Sequence, residues 1–495
     1  MAGGAAPFSS SYRWQSPSTS ITSQQTRTKI TDTSSSSSSS SSFSSSSKQE
    51  EPSPTTESDL QTSLFKNPIV QRLWSHRQKV KNGKLSSSAR EKKKTSSSSR
   101  VEIPYPFSTD PLLLETYRNP WGQVRIGKIL EDLDALAGNI AFFHVHNSRA
   151  TDEDDYPVIV TASVDRIRLR RQPLVEFDQL LSGQVSWTGR SSMEIKMTCS
   201  EDSQHKKDWL EAYVTYVTLD PHTKKPMAVS PIEPETPEEH LEFEDGNERA
   251  LFKKKLRKQQ HGHRNIAPSV PATLDQVAGD NMADKVEALA QQLLEEASTL
   301  QNLPSLADPH DILMNQTSMQ NAMIAQPQVQ NLHNRIFGGF LMRRAAELAF
   351  ATTYVFAGAK PIFLEVDQVS FTKPVDVGDL LQFHSRVLYT DKGLASDFYE
   401  DYPAASKREE LHLVHIEVET WVTIPEEAKS VVSNQFYFTF AVPKNDAKEG
   451  GRKVAHTVRR VLPNTIDQAR RMATRMVAAE EQRKVDKAEQ LSKKE

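Results

Sequence analysis

Asn331-Leu-His-Asn-Arg-Ile-Phe-Gly-Gly-Phe-Leu-Met342 runs straight into an alanine-rich helix, and the reading of this chain turns on that stretch. Gly338 and Gly339 stand side by side where loop becomes helix. No side chain there screens an approaching ligand from the first-turn N–H groups, which lack intrahelical partners. Those groups, at the positive end of the helix dipole, favour negative charge or a polarised carbonyl oxygen. A glycine pair alone is weak evidence; a second, altered copy strengthens it. Asn119-Pro-Trp-Gly-Gln-Val-Arg-Ile-Gly127 parallels Asn331 to Gly339. Val164-Asp165-Arg-Ile-Arg-Leu, then Pro173 and Leu180-Leu181, parallels Val366-Asp367-Gln-Val-Ser-Phe, then Pro374 and Leu380-Leu381.

Each copy predicts a helix followed by strands. In the first, Ile129, Leu133, Leu136, Ala137 and Ile140 recur at helical spacing within Arg125–Phe143. A polar loop, His144–Asp155, precedes strands at Val158–Arg168, Gln184–Trp187, Met193–Cys199 and Tyr213–Thr218. In the second, the helix is Phe340–Phe356 and the strands are Phe363–Thr372, Leu381–Tyr389, Leu411–Val422 and Asn434–Val442. Leu413, His415, Glu417, Glu419 and Trp421 fall on one face of the third of these, and Val414, Ile416 and Val418 on the other. A lone helix and an open sheet each leave apolar surface bare. Wrapping one round the other buries both, which predicts an α+β unit present twice as a pseudo-twofold pair.

Around these halves, 495 residues allow for two domains and extras. With 61 Lys+Arg against 64 Asp+Glu there is no global basic footprint for nucleic acid. The single cysteine, Cys199, excludes an intramolecular disulfide and any multi-cysteine metal site, and its strand pattern predicts a buried small hydrophobe. No apolar run approaches the roughly 20 residues of a membrane span, so a soluble intracellular protein is expected. Residues 1–100, with serine runs at Ser34–Ser42, Ser44–Ser47 and Ser96–Ser99, predict a disordered tail. No acid occurs before Asp32, while Arg13, Arg27 and Lys29 are basic. That fits an organelle transit peptide, with a mitochondrial address, or a tail without an address in a cytoplasmic protein. Halves at 101–230 and 311–445 are then joined by a charged helical linker, 231–310, with helices at Glu238–Lys258 and Ala283–Leu300. A helical tail, 446–495, contains Thr465–Leu491. Lys253–Lys258 reads as a solvated helix face or as a basic patch.

Three strings carry a family resemblance: Arg125-Ile-Gly-Lys-Ile-Leu-Glu-Asp-Leu-Asp134, Val185-Ser-Trp-Thr-Gly-Arg-Ser-Ser-Met-Glu-Ile195 and Asn334-Arg-Ile-Phe-Gly-Gly-Phe-Leu-Met342. From Val101 to Pro443 the chain resembles the double-hotdog acyl-CoA thioesterases, nearest to their mitochondrial eukaryotic branch. The resemblance implies a hotdog fold in each half, an antiparallel sheet wrapped round a central helix. It implies hydrolysis of acyl-CoA to free acid and CoA, with water as co-substrate, no cofactor and no metal, and further assembly into a homo-oligomer. It also implies a shared site, with an asparagine ahead of one glycine turn and an acid on the other half's helix. Counting from the glycines gives Asn331 and Asp134. The reciprocal pair falls on Asn119 and Ala346, whose neighbour Glu347 is acidic, and Ile126 replaces the first glycine. One competent site and one crippled counterpart are therefore expected.

Hydrolysis needs an activated water and a place for the oxyanion. Asp134 could serve as general base or attack directly, and both remain open. Gly339 N–H and the Asn331 amide are the candidate donors. His333, a loop histidine without a visible acid partner, is set aside. For CoA, the turn Thr188–Ser192 offers Arg190, Ser191 and Ser192, and its counterpart offers Lys392; an ordinary hairpin turn reads equally well. Phe340, Leu341 and Phe350 are candidate contributors to an acyl groove. Two other readings use the same fold: a non-catalytic acyl-CoA-binding or assembly protein, and an enoyl-CoA hydratase, which would want a histidine with an acid partner.

Overall fold

The computed structural model describes residues 69–73, 94–146, 157–201, 208–260, 279–330, 335–394, 410–443 and 458–492. All lie in one compact unit, Thr56–Glu495. The first half runs β1 (Val101–Tyr105), α1 (Pro111–Tyr117), α2 (Ile126–His146), β2 (Val158–Leu169), β3 (Gln179–Thr188), β4 (Ser192–Glu201) and β5 (Asp208–Leu219). Two linker helices follow, α3 (Pro237–Gln260) and α4 (Gly279–Asn302). The second half comprises β6 (Asp311–Leu313), β7 (Met319–Ile324), α5 (Gly338–Ala357), β8 (Ile362–Phe371), β9 (Leu380–Leu394), β10 (Glu410–Ile424) and β11 (Lys429–Pro443). β12 (Arg460–Leu462) and α6 (Ile466–Ser492) close the chain.

The duplication is visible in the sheet. Ten strands follow the order β1-β3-β4-β5-β2-β8-β11-β10-β9-β7, with β2 and β8, equivalent strands of the two copies, paired antiparallel at the seam. The two hotdog sheets thus form one sheet, with α2 and α5 packed against each other inside it. Ile129, Leu130, Leu133, Leu136 and Ile140 of α2 are all at most 1 % exposed. A helix apolar on most sides can sit only in such a core, and each leucine contributes about 1.5–3 kcal/mol by burial.

The helices and strands expected from periodicity are present, with different limits. β3 and β5 extend well beyond Gln184–Trp187 and Tyr213–Thr218, and β1 and β7 add an edge strand to each half. Ordered structure also begins before Val101. Residues 69–73 form a helical turn whose Ile69, Val70 and Leu73 are buried in the core, and Asn139 donates to the Leu73 carbonyl (2.9 Å). Three apolar residues inside a polar, serine-rich region fall below any periodicity signal. The Lys253–Lys258 side chains lie outside the described residues.

The polar face of β10 is not a solvent face. Glu417 and Glu419 are buried, held by Arg386 (2.8 Å to Glu417) and by Arg471 of α6 (3.6 and 3.7 Å). α3 is seated the same way on the first sheet, where Arg249 grips Glu194 with two hydrogen bonds (2.7 and 3.0 Å). Buried charge of this kind persists only when paired, and strand alternation cannot reveal the helix that pairs it.

Candidate active site

Asp134 sits two turns into α2, and Gly339 is the second residue of α5. Gly339 N–H donates to Asp134 Oδ2 at 2.6 Å, so residues 205 apart in sequence meet across the pseudo-twofold. The glycines are what let the helices approach. A Cβ on Gly339 would lie 2.8 Å from the Glu131 carbonyl and 3.0 Å from Asp134 Cβ. A Cβ on Gly338 would lie 3.1 Å from Asp134 Oδ2. The donation occupies the N–H that the sequence offered to an oxyanion. The same helix start thereby holds the carboxylate in place.

Asp134 is 7 % exposed. Burial pushes its carboxyl up to about 6, and the Glu131 charge adds to the rise. The Gly339 N–H and the Tyr216 hydroxyl hold it back. Tyr216, from β5, reaches Asp134 Oδ1 at 3.4 Å and the Asp134 carbonyl at 3.3 Å. Glu131, one turn earlier, pairs with Arg343 of α5 at 2.9 Å. A carboxyl tuned to about 6 and fixed against a helix start can exchange a proton with water near neutral pH.

Asn331 and His333 lie outside the described residues. Phe340 and Leu341 are buried in the core. Phe350, about three turns beyond Gly339, is not at Asp134; it packs on Trp121, Tyr354 and Phe440. Cys199 is fully buried, with its thiol pushed far up by burial.

The chain matches curated proteins along most of its length. It is 40 % identical over 433 residues to the acyl-coenzyme A thioesterase 4, mitochondrial, of Humulus lupulus, covering 85 % of this chain and 74 % of that protein. It is 39 % identical to the chloroplastic acyl-coenzyme A thioesterase 2 of the same plant (85 % and 90 %). It is 32 % identical to the mitochondrial acyl-coenzyme A thioesterase 9 of Homo sapiens (70 % and 72 %). The chain belongs to the acyl-CoA thioesterases. No family model matches it.

Seen as a double-hotdog thioesterase, the chain has a counterpart to each site residue. Gly127 faces the Arg343 carbonyl as Gly339 faces that of Glu131, so the two helices superpose with a shift of 212 residues. Ala346 then stands for Asp134 and Ile126 for Gly338. Glu347, the neighbouring acid, is held by Arg125 and by Arg344 (3.3 Å). Asn119 spends its side-chain oxygen on the Trp121 and Gln123 amides (3.0 and 2.9 Å) of its own loop. β2 pairs Val164 with Val214, and β8 pairs Val366 with Phe438. Two residues on, Phe440 therefore replaces Tyr216.

Among the CoA candidates, the hairpin Thr188–Ser192 is closed by Gly189 N–H donating to the Ser192 carbonyl (2.8 Å), and Arg190 is exposed at its tip. The Ser191 carbonyl accepts from Thr218. Lys392 pairs with Glu410 (3.4 Å). None of the four touches Asp134 or Gly339. Single-copy motifs did not mark Tyr216 or Glu131; comparison of the two copies position by position would have marked Tyr216.

Proposed function

We propose that this thioesterase hydrolyses acyl-CoA to free acid and CoA at one composite site formed by Asp134 and the start of α5. The supporting observation is the 2.6 Å contact between the Asp134 carboxylate and Gly339 N–H. With Oδ2 so held, Oδ1 is the oxygen placed to take a proton from water. The water oxygen adds to the thioester carbonyl carbon, and the resulting oxyanion is stabilised by the positive end of the α5 dipole and the Asn331 amide, the Gly339 N–H being committed to Asp134. The C–S bond then breaks, and Asp134 returns the proton to the CoA thiolate. General-base help of this type contributes roughly 10²–10⁴ in rate.

Arg190 is the candidate for a CoA phosphate, with Ser191 and Ser192 beside it, and Lys392 is a secondary one. An organellar location and a homo-oligomer complete the reading; fusing residues 1–47 to a reporter tests the former. Thiol release from an acyl-CoA panel by the parent, Asp134→Ala and Asn331→Ala tests the chemistry. Both variants should fold and lose turnover. Unchanged kcat in Asp134→Ala overturns the site. Acyl-CoA binding without thiol release by the parent replaces the hydrolase with a binding protein.

A further inference from the structure

The two copies differ one turn beyond the acid, at Gly138. Its counterpart is Phe350, whose half-buried ring packs against Phe440 of the sheet and against Trp121 and Tyr354. It lies 6.1 Å from Phe440, 5.5 Å from Trp121 and 6.3 Å from Tyr354, centroid to centroid. In the first copy that space has no ring, because residue 138 has no side chain. From Glu131 to Phe142 every residue of α2 is buried except Gly138. Within that stretch the helix is open to solvent at one point, on the face that carries Asp134 four residues earlier.

Crowding does not require this glycine. A Cβ at 138 would meet one group among the described residues within 4 Å, the Tyr216 hydroxyl at 3.7 Å, an ordinary contact. Alanine would fit and would favour the helix. At Gly183, by contrast, a Cβ would fall 2.6 Å from Met197 and 2.8 Å from Ile140. What Gly138 leaves is room for a side chain beside the Tyr216 hydroxyl.

We infer that Gly138 is a specificity-determining residue whose missing side chain admits the acyl chain of the substrate between α2 and β5. This rests on the hydrolase reading for the position of the thioester. Its neighbours along the helix supply an apolar wall: Ala135, Ala141 and Phe142 are buried at 4 % exposure or less. A chain laid there would start at the thioester near Asp134 and run toward the C-terminal end of α2. In the second copy the Phe350 ring closes the same route.

The test compares acetyl-CoA with dodecanoyl-CoA in the parent, Gly138→Ala, Gly138→Phe and Phe350→Ala. S-alkyl thioether analogues of both lengths serve as probes whose binding does not depend on turnover. Gly138→Phe should weaken dodecyl-thioether binding and dodecanoyl kcat/KM at least tenfold, while both ethyl-thioether binding and acetyl kcat/KM stay within about twofold. Gly138→Ala, which fits without displacement, should show the same trend at smaller size, and it carries the test if the phenylalanine variant does not fold. Phe350→Ala should leave the chain-length profile unchanged. Equal effects of the Gly138 variants on short and long chains overturn the assignment while leaving the hydrolase reading intact. A parent that binds both analogues but releases no thiol overturns the hydrolase reading, and the binding ratio still decides Gly138.

Discussion

The two halves share strands, helix and seam, yet the surroundings of their equivalent helix starts have opposite characters. On one side Asp134, Tyr216 and Gly138 surround a glycine-lined helix start. On the other, Ala346, Phe440 and Phe350 surround a start that has kept only Gly127. The polar group, its hydrogen-bond donor and the space beside it are lost together. The difference teaches that a buried carboxylate near pH 6 is costly and is held only where its oxygens have partners. Where the carboxylate is absent, aromatic packing takes its place and stabilises the core.

The largest expected break in this comparison comes from Asp134→Asn. Its kcat should fall by roughly 10²–10⁴, while thermal stability should rise. The folded carboxyl sits at about 6, above its ordinary 3.8. Its contribution is therefore fully present in acid and is lost as pH rises through about 6. Removing the charge should recover up to about 3 kcal/mol at pH 8 and only about 0.5 kcal/mol at pH 4. Melting curves at both pH values decide, and a variant no more stable than the parent at pH 8 contradicts the assigned burial cost.

Glycine replacement in the two copies is the next sharpest contrast. Gly339→Ala forces a Cβ onto backbone and should destabilise by about 1–3 kcal/mol with loss of activity. Gly127→Ala meets the flexible Arg343 Cγ at 3.2 Å, so chemical denaturation should find it neutral or slightly stabilising.

Smaller effects appear in the acidic limb of kcat/KM, which should follow Asp134 near pH 6. Tyr216→Phe, which copies the second half, removes a bond that lowers that carboxyl, so the limb should move to higher pH. Glu131→Gln removes a charge that raises it, so the limb should move the other way. Shifts in the same direction would deny that both groups act through Asp134. The smallest effect is expected from adding Ala346→Asp to Asp134→Asn. Turnover should stay at background, because Ile126, Phe350 and Phe440 still surround the second helix start; recovered activity would mean that the carboxylate alone makes a site.

Much of this was legible in the letters. Repeated turns, helices and strand order predicted two wrapped sheets, and the family resemblance, with counting from the glycines, implied a pairing of Asp134 with Asn331 across the two halves. Local patterns could not disclose that Gly339 N–H is already bonded to Asp134, that Phe350 lies at the other helix start, or that Glu417 and Glu419 are covered by α6. Each depends on which distant element arrives at a surface, and strand or helix periodicity specifies a face without its partner.

By itself, then, the sequence determined the duplicated units, their apolar faces and the glycine turns, because hydrophobic period and backbone permissiveness are local properties; Asp134 stood out only through the repeat and the family resemblance. The tertiary structure decided how Asp134 is held. That required the close approach of two helices, a tyrosine from a third element and the depth of burial that sets a carboxyl's pKa, all of which arise between segments far apart in the chain.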